Sequence, residues 1–165
     1  MANMKVEGLQ EFMDGLTAIG EHAGGIAKKC AFDGARVVAD GIAEKVGELP
    51  IDSNGGFTKG TDPLNVITAR DRTDLAACLG VSKIENDGMS TSVSISFNGY
   101  ISRTERKYPN GVPAALIARS IEKGTSVRAK KPFLRPAIKS NQQAALAAMQ
   151  KTMDESVAQI QKMEG

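Results

Sequence analysis

Apolar positions recur at helical spacing from the start of the chain. Val6, Leu9, Phe12 or Met13, Leu16 and Ile19 share one face, with Glu7, Gln10, Glu11 and Asp14 between them. Gly20 offers a stop, which places His22, Gly24 and Gly25 between this helix and the next. In the second, longer helix Ile26, Cys30, Val38, Ile42, Val46 and Leu49 fall near multiples of four. Pro50 ends it, because proline disfavours helical geometry in the residue before it. Ser53, Asn54, Gly55, Gly56, Gly60, Asp62 and Pro63 then break the pattern and predict a flexible loop at about 51–71, with a short extended piece at Val66–Thr68. Loops of this length inside a compact domain are often functional.

Past the loop, Thr73 or Asp74 is placed to cap a short helix with Leu75, Cys78 and Leu79 as its apolar face and Gly80 as its end. Polar and apolar residues alternate from Thr91 to Phe97, the clearest half-buried strand in the chain. With Asn86, Asp87 and Gly88 as the turn, Val81–Glu85 and Ser90–Asn98 read as an antiparallel hairpin. Tyr100–Gly111 is polar and irregular. Val112–Glu122 is helical again, with Pro113 in its first turn, Leu116, Ile117, Ser120 and Ile121 facing inward, and Gly124 as the stop. A proline-flanked turn, Lys131–Pro136, leads into the last helix. There Ile138, Gln142, Ala145, Met149, Met153, Val157 and Ile160 follow a three-four spacing that suits packing on another helix of the same subunit or a neighbour.

Composition adjusts this picture in three ways. The length of 165 residues fits one domain spanning 1–165, and the 41% hydrophobic and 24% charged fractions are ordinary for a globular protein. Aromatics are only 4%, so Leu, Ile, Val, Ala and Met must fill the core. Seventeen glycines, several inside helical stretches, each weaken a helix by about 0.5–1 kcal/mol relative to Ala, so these helices depend on their neighbours. Cys30 and Cys78 are far apart with apolar flanks and are expected as buried free thiols. No basic stretch followed by an apolar core opens the chain, and no apolar run approaches the ~18 residues of a membrane span, so a reducing cytoplasm is the expected compartment.

The net charge of +2 is unevenly divided. Arg103, Arg106, Lys107, Arg119, Lys123, Arg128, Lys130, Lys131, Arg135 and Lys139 face only Glu105 and Glu122, so residues 101–140 carry +8 and the remainder −6. Such polarity favours contact between unlike faces of neighbouring subunits, or contact with an anionic partner.

Catalytic patterns are absent. The single histidine, His22, has no orienting partners in view, and no zinc or calcium spacing occurs. Gly55–Thr61 faintly resembles a phosphate cradle, but Lys59 precedes Gly60 and no helix follows. The expectation is a non-enzyme without cofactor or metal. Nucleic-acid binding through the basic stretch would be sequence-blind, since Tyr100, Tyr108 and Phe133 are too sparse for a stacking platform.

One region is more specific. Glu122, Gly124 and Thr125 form a Glu-x-Gly-Thr motif, followed by Pro132, Phe133, Leu134, Arg135, Pro136 and Ala137 and then the terminal helix. This resembles the gene-product-ten-like family of head–tail connection proteins of long-tailed bacteriophages. Gly8–Phe12, Val37–Asp40, Thr73–Leu75 and Phe97–Tyr100 fit the family's order upstream, while the loop at 51–71 has no distinctive match.

The resemblance implies an α+β fold: an antiparallel β-sheet packed by a long helix from the N-terminal half and by the C-terminal helix. It also implies a structural virion subunit, a tail-completion or neck protein assembled in the host cytoplasm. Such a protein forms a homo-oligomeric, usually hexameric, ring around the DNA channel. Its expected partners are head-completion or connector proteins, the tail terminator or tail tube, and the passing DNA, with no membrane. Arg128, Lys130, Lys131 and Arg135 are the expected subunit or DNA-channel contacts. A tail terminator capping the tail tube is the alternative within virion proteins, and a sequence-nonspecific nucleic-acid-binding module is the alternative outside them.

Overall fold

A computed structural model describes residues 9–51, 67–86, 90–125 and 130–164. The order is α1 (Leu9–Gly47), α2 (Ala69–Ala77), β1 (Leu79–Val81), β2 (Glu85–Asn86), β3 (Thr91–Ser92), β4 (Ile95–Phe97), β5 (Tyr100–Ile101), β6 (Val112–Pro113), α3 (Ala114–Lys123) and α4 (Leu134–Glu164). The fold is α+β, with the two long helices and small antiparallel ladders as expected.

The first correction concerns α1, which runs unbroken through Gly20, Gly24 and Gly25, so His22 lies on a helix and not between two. Two other glycines explain what holds so glycine-rich a helix. α4 packs antiparallel on α1: Asp33 accepts a 2.6 Å hydrogen bond from the Thr152 hydroxyl, Gly34 lies against Met149 and Gly41 against Asn141. A Cβ on Gly34 would meet Met149 at 2.7 Å, and one on Gly41 would overlap the Asn141 amide, itself bonded at 2.9 Å to the Ala137 carbonyl. Close approach also explains a second difference. The face that α4 turns inward is Ala137, Ala145, Thr152 and Ser156, while Ile138 and Met153 of the predicted seam remain half exposed. Only small side chains fit where the backbones come this near.

Helix propensity then separates the glycines. A Cβ at Gly20, Gly24 or Gly25 meets nothing within 4 Å, so alanine there is expected to stabilise the protein by up to about 1 kcal/mol per site. Gly41→Ala is expected to destabilise it by about 1–3 kcal/mol through overpacking, relieved by adding Asn141→Ala. Thermal melts of the four single variants and the double variant check this; equal behaviour at all glycines would contradict it.

α2 begins earlier than its sequence suggests. Thr68, not Thr73 or Asp74, caps it: the Thr68 hydroxyl accepts from the Asp71 N–H at 3.1 Å, and the Asp71 carboxylate accepts from the Thr68 N–H at 2.9 Å. This reciprocal box converts the end of the predicted loop into a helix start. The remainder of that loop, 52–66, lies outside the described residues, and with it Gly55–Thr61.

The predicted hairpin is present but interrupted. β1 pairs with β4 in the register Leu79↔Phe97 and Val81↔Ile95, whereas β2 pairs with β3 as Glu85↔Ser92 and Asn86↔Thr91. Ser82, Lys83 and Ile84 thus stand opposite only Val93 and Ser94, a one-residue bulge. Ser82 stitches it: its N–H donates to the Ser94 carbonyl at 2.7 Å, and its hydroxyl accepts from the Ser94 N–H at 2.9 Å. Asp87 and Gly88 of the predicted turn lie outside the described residues. A third ladder joins β5 to β6.

One core cluster gathers Ile42 and Val46 of α1, Leu49 just past its end, Leu75 of α2, Ile101, Val112, then Ala114, Ile117, Ala118 and Ile121 of α3, with Phe133 and Ala137. Within α3, Ala114 and Ala118 take the inward places expected for Leu116 and Ser120, and Leu116 is exposed. Cys30 is buried and Cys78 half-buried, both free, and burial pushes each thiol above its ordinary value.

Candidate functional site

The motif residues assemble at the corner where α3 ends and α4 begins. Gly124 leaves α3 with φ +75, a left-handed conformation that L side chains resist, and its N–H returns to the Ser120 carbonyl. The chain comes back so that the Lys131 N–H donates to the Ile121 carbonyl at 3.0 Å. Glu122 then reaches across the corner. Its carboxylate accepts from the Phe133 N–H at 2.7 Å and from the Leu134 N–H at 2.9 Å. These are amides at the start of α4, which have no carbonyl partner within the helix. A carboxylate there also meets the positive end of the helix dipole.

Pro136 sits in the first turn of α4, where its missing N–H is not needed, and Ala137 bonds back to the Phe133 carbonyl. Phe133 is buried edge-on against Phe97 of β4, with ring centroids 6.1 Å apart. Thr125 and Pro132 are exposed, and Leu134 is half-buried against the core. Thus Glu122, Gly124, Phe133, Pro136 and Ala137 build the corner. Glu122→Ala is expected to lower stability by about 2 kcal/mol, with a smaller loss for Glu122→Gln, in denaturant titrations; equal stability of all three proteins would deny the cap.

Of the expected contact residues, the corner brings together Lys130, Lys131 and Arg135; Arg128 lies outside the described residues. Lys130 and Arg135 are exposed and Lys131 half-buried. Lys123 and Lys139, also exposed, flank them. Among the described residues, no carboxylate forms an ion pair with any of these five. The nearest acidic residue in sequence, Glu122, is occupied with backbone amides.

Arg103 leaves the surface basic set altogether. Its guanidinium forms an ion pair with the buried Asp71 of α2, and both side chains are nearly enclosed. One turn on, Asp74 accepts from the Ser102 N–H at 2.7 Å. Hydrogen bonds from Ser102 hold the Asp74 carboxyl below the ordinary 3.8. A depressed folded-state value means that stability is full above the unfolded value and is lost as pH falls through the folded one. The protein is therefore expected to lose stability below about pH 4, with a shallower acid slope in Asp74→Asn. An unchanged slope would show that this carboxylate does not report on folding.

The sequence reading counts Arg103 in the basic stretch, gives Asp71 no role and makes Asp74 a candidate helix cap, not a partner of Ser102. The Thr68-x-x-Asp71 spacing was the available signal for Asp71, since it is a capping box in outline.

A second surface feature lies at the far end of the helix pair. A groove of about 600 Å³ runs beside Ile19, Ala23, Ala27, Met149, Met153 and Val157, closed on one side by Ser90 and Thr91. His22 lines a separate shallow cleft with Lys29, Ser156 and Gln159. Among the described residues, no group of three or more His, Cys, Asp or Glu side chains is placed to hold a metal ion, and no helix is long and apolar enough to cross a membrane. Comparison with protein-family models, curated proteins and solved structures finds no match to this chain.

Proposed function

We propose that the chain is a non-enzymatic structural subunit of a tailed-phage virion, a neck or tail-completion protein that closes into a ring at the head–tail junction. The observation that carries this reading is the α3–α4 corner. Phe133 and Ala137 of the motif are buried, the Glu122 carboxylate is engaged with backbone amides, and Lys123, Lys130, Arg135 and Lys139 project outward without an acidic partner among the described residues. Exposed charge of one sign, fixed on a stiff corner, suits contact with an unlike face of the next subunit or with DNA. The acidic excess elsewhere supplies such a face: Asp40 and Glu44 lie exposed four residues apart on α1, with Glu48, paired to Lys45, exposed just past its end. Contact between unlike faces is the arrangement that lets a cyclic ring close.

Molar mass by light scattering across a concentration series tests the proposal. Six copies are not required; any discrete closed oligomer that Arg135→Glu or Lys130→Glu dissociates supports it. A monomer at every concentration, with or without tail and head extracts, removes it. The tail-terminator reading differs in partner, and tail tubes that lengthen without limit when the protein is withheld would favour it.

A further inference from the structure

Between β5 and β6 the chain makes an excursion of ten residues, 102–111, where two would suffice to turn. Its root is held from several sides. Asp74 takes the Ser102 N–H, Asp71 takes the Arg103 guanidinium, and the Arg103 carbonyl accepts from the Val112 N–H at 3.0 Å. Gly111, at φ +108, presses so close that a Cβ there would stand 2.7 Å from the Ile101 carbonyl oxygen. Further out, Glu105 and Tyr108 exchange both backbone hydrogen bonds, at 3.1 and 2.9 Å, so that Arg106 and Lys107 form a tight two-residue tip. Tyr108 packs on the core, and the Lys107 ammonium stands 5.8 Å from the centre of its ring. Both tip cations are exposed, and among the described residues no carboxylate forms an ion pair with either.

Two adjacent like charges on this tip repel each other; the Tyr108 ring offsets part of that for Lys107, and among the described residues no carboxylate pairs with either. The partner they suit is anionic and lies outside it. The excursion returns through Val112 and Pro113 straight into the first turn of α3, whose exposed side carries Arg119 and Lys123 one turn apart. α3 spans ~15 Å and ends at the basic corner. Along this path Arg106, Lys107, Arg119 and Lys123 are exposed, whereas Glu105 at the base of the tip is half-buried and the Glu122 carboxylate is engaged with backbone amides. Acidic protein surfaces carry interspersed cations; a phosphodiester backbone carries one sign throughout.

We infer that the 102–111 excursion is a preorganised finger whose Arg106 and Lys107 contact the phosphate backbone of duplex DNA, independently of base sequence. The inference rests on the proposed position of the ring around DNA, and adds a contact site distinct from the α3–α4 corner.

Binding of the full chain to a labelled duplex of arbitrary sequence, titrated over a salt series, tests it. R106A/K107A is expected to make the slope of log affinity against log salt shallower by about 2, in line with ~0.9 per phosphate contact. R106K/K107R keeps both charges and is expected to restore the wild-type slope. The tip is exposed, so thermal melts of the variants should match the wild type. Duplex binding with an unchanged slope in R106A/K107A overturns the finger, while loss of slope in K130A/R135A would leave the corner standing. No duplex binding by the wild type, with an oligomer mass altered by R106A/K107A, also overturns it and assigns the tip to an acidic protein surface. Because oligomer mass is read separately, a ring that forms but ignores DNA is distinguished from a chain that forms no ring.

Discussion

Arg103→Ala is expected to lower the unfolding free energy by about 3–5 kcal/mol, the range found when one partner of a buried ion pair is removed. Asp71 is 4% exposed, and its carboxylate is shared between the Arg103 guanidinium and the Thr68 N–H. Without the guanidinium, one backbone amide is left to balance a charge that water scarcely reaches. Arg103→Met keeps most of the side-chain volume but not the charge, and it should be nearly as damaging. Asp71→Asn/Arg103→Met removes both charges and should be more stable than Arg103→Met alone. Urea titrations of the three variants decide this. A loss below about 1 kcal/mol in Arg103→Ala would mean that the pair behaves as a surface salt bridge.

The second large effect is expected at Phe133. Phe133→Ala should cost about 3–5 kcal/mol through lost burial and the cavity left behind. The ring is 3% exposed, stands edge-on to Phe97, and lies in the same cluster as Ile121 and Ala137. Phe133→Leu should cost less, since much of the volume remains. Crossing Phe133→Ala with Phe97→Ala should expose a coupling of about 0.5–1.5 kcal/mol from the ring pair. Denaturant midpoints measure all four proteins, and strict additivity would show that the rings do not interact. Since Phe133 also precedes the first turn of α4, its loss should loosen the cap made by Glu122 and with it the basic corner. Phe133→Ala is therefore expected to weaken oligomer formation as well as folding.

Much of the local structure was legible because it depends on neighbours in the chain. The helical spacing of Ile42, Val46 and Leu49, the alternation from Thr91 to Phe97, and the stop at Gly124 all reflect short-range geometry, and each lies where the periodicity puts it. The motif from Glu122 to Ala137 was legible as a unit of sequence, although its bonds were not. The site was legible in outline only. Lys130, Lys131 and Arg135 do meet at one corner, but Arg106 and Lys107 were indistinguishable from the other cations until their tip was seen to be clamped.

The sequence by itself determined the long stretches of helix, the alternating strand and a largely aliphatic core. These follow from residue periodicity and from side chains too apolar to leave in water. Only the tertiary structure decided that α1 continues through Gly20, Gly24 and Gly25, because packing on α4 outweighs a propensity loss of about 1 kcal/mol per glycine. It alone decided which carboxylates the fold engages. Asp71 and Glu122 read as ordinary acids until partners 32 and 11 residues away are brought to them. Long-range pairing of that kind leaves no period in the chain, since it depends on where the backbone returns and not on how residues are spaced.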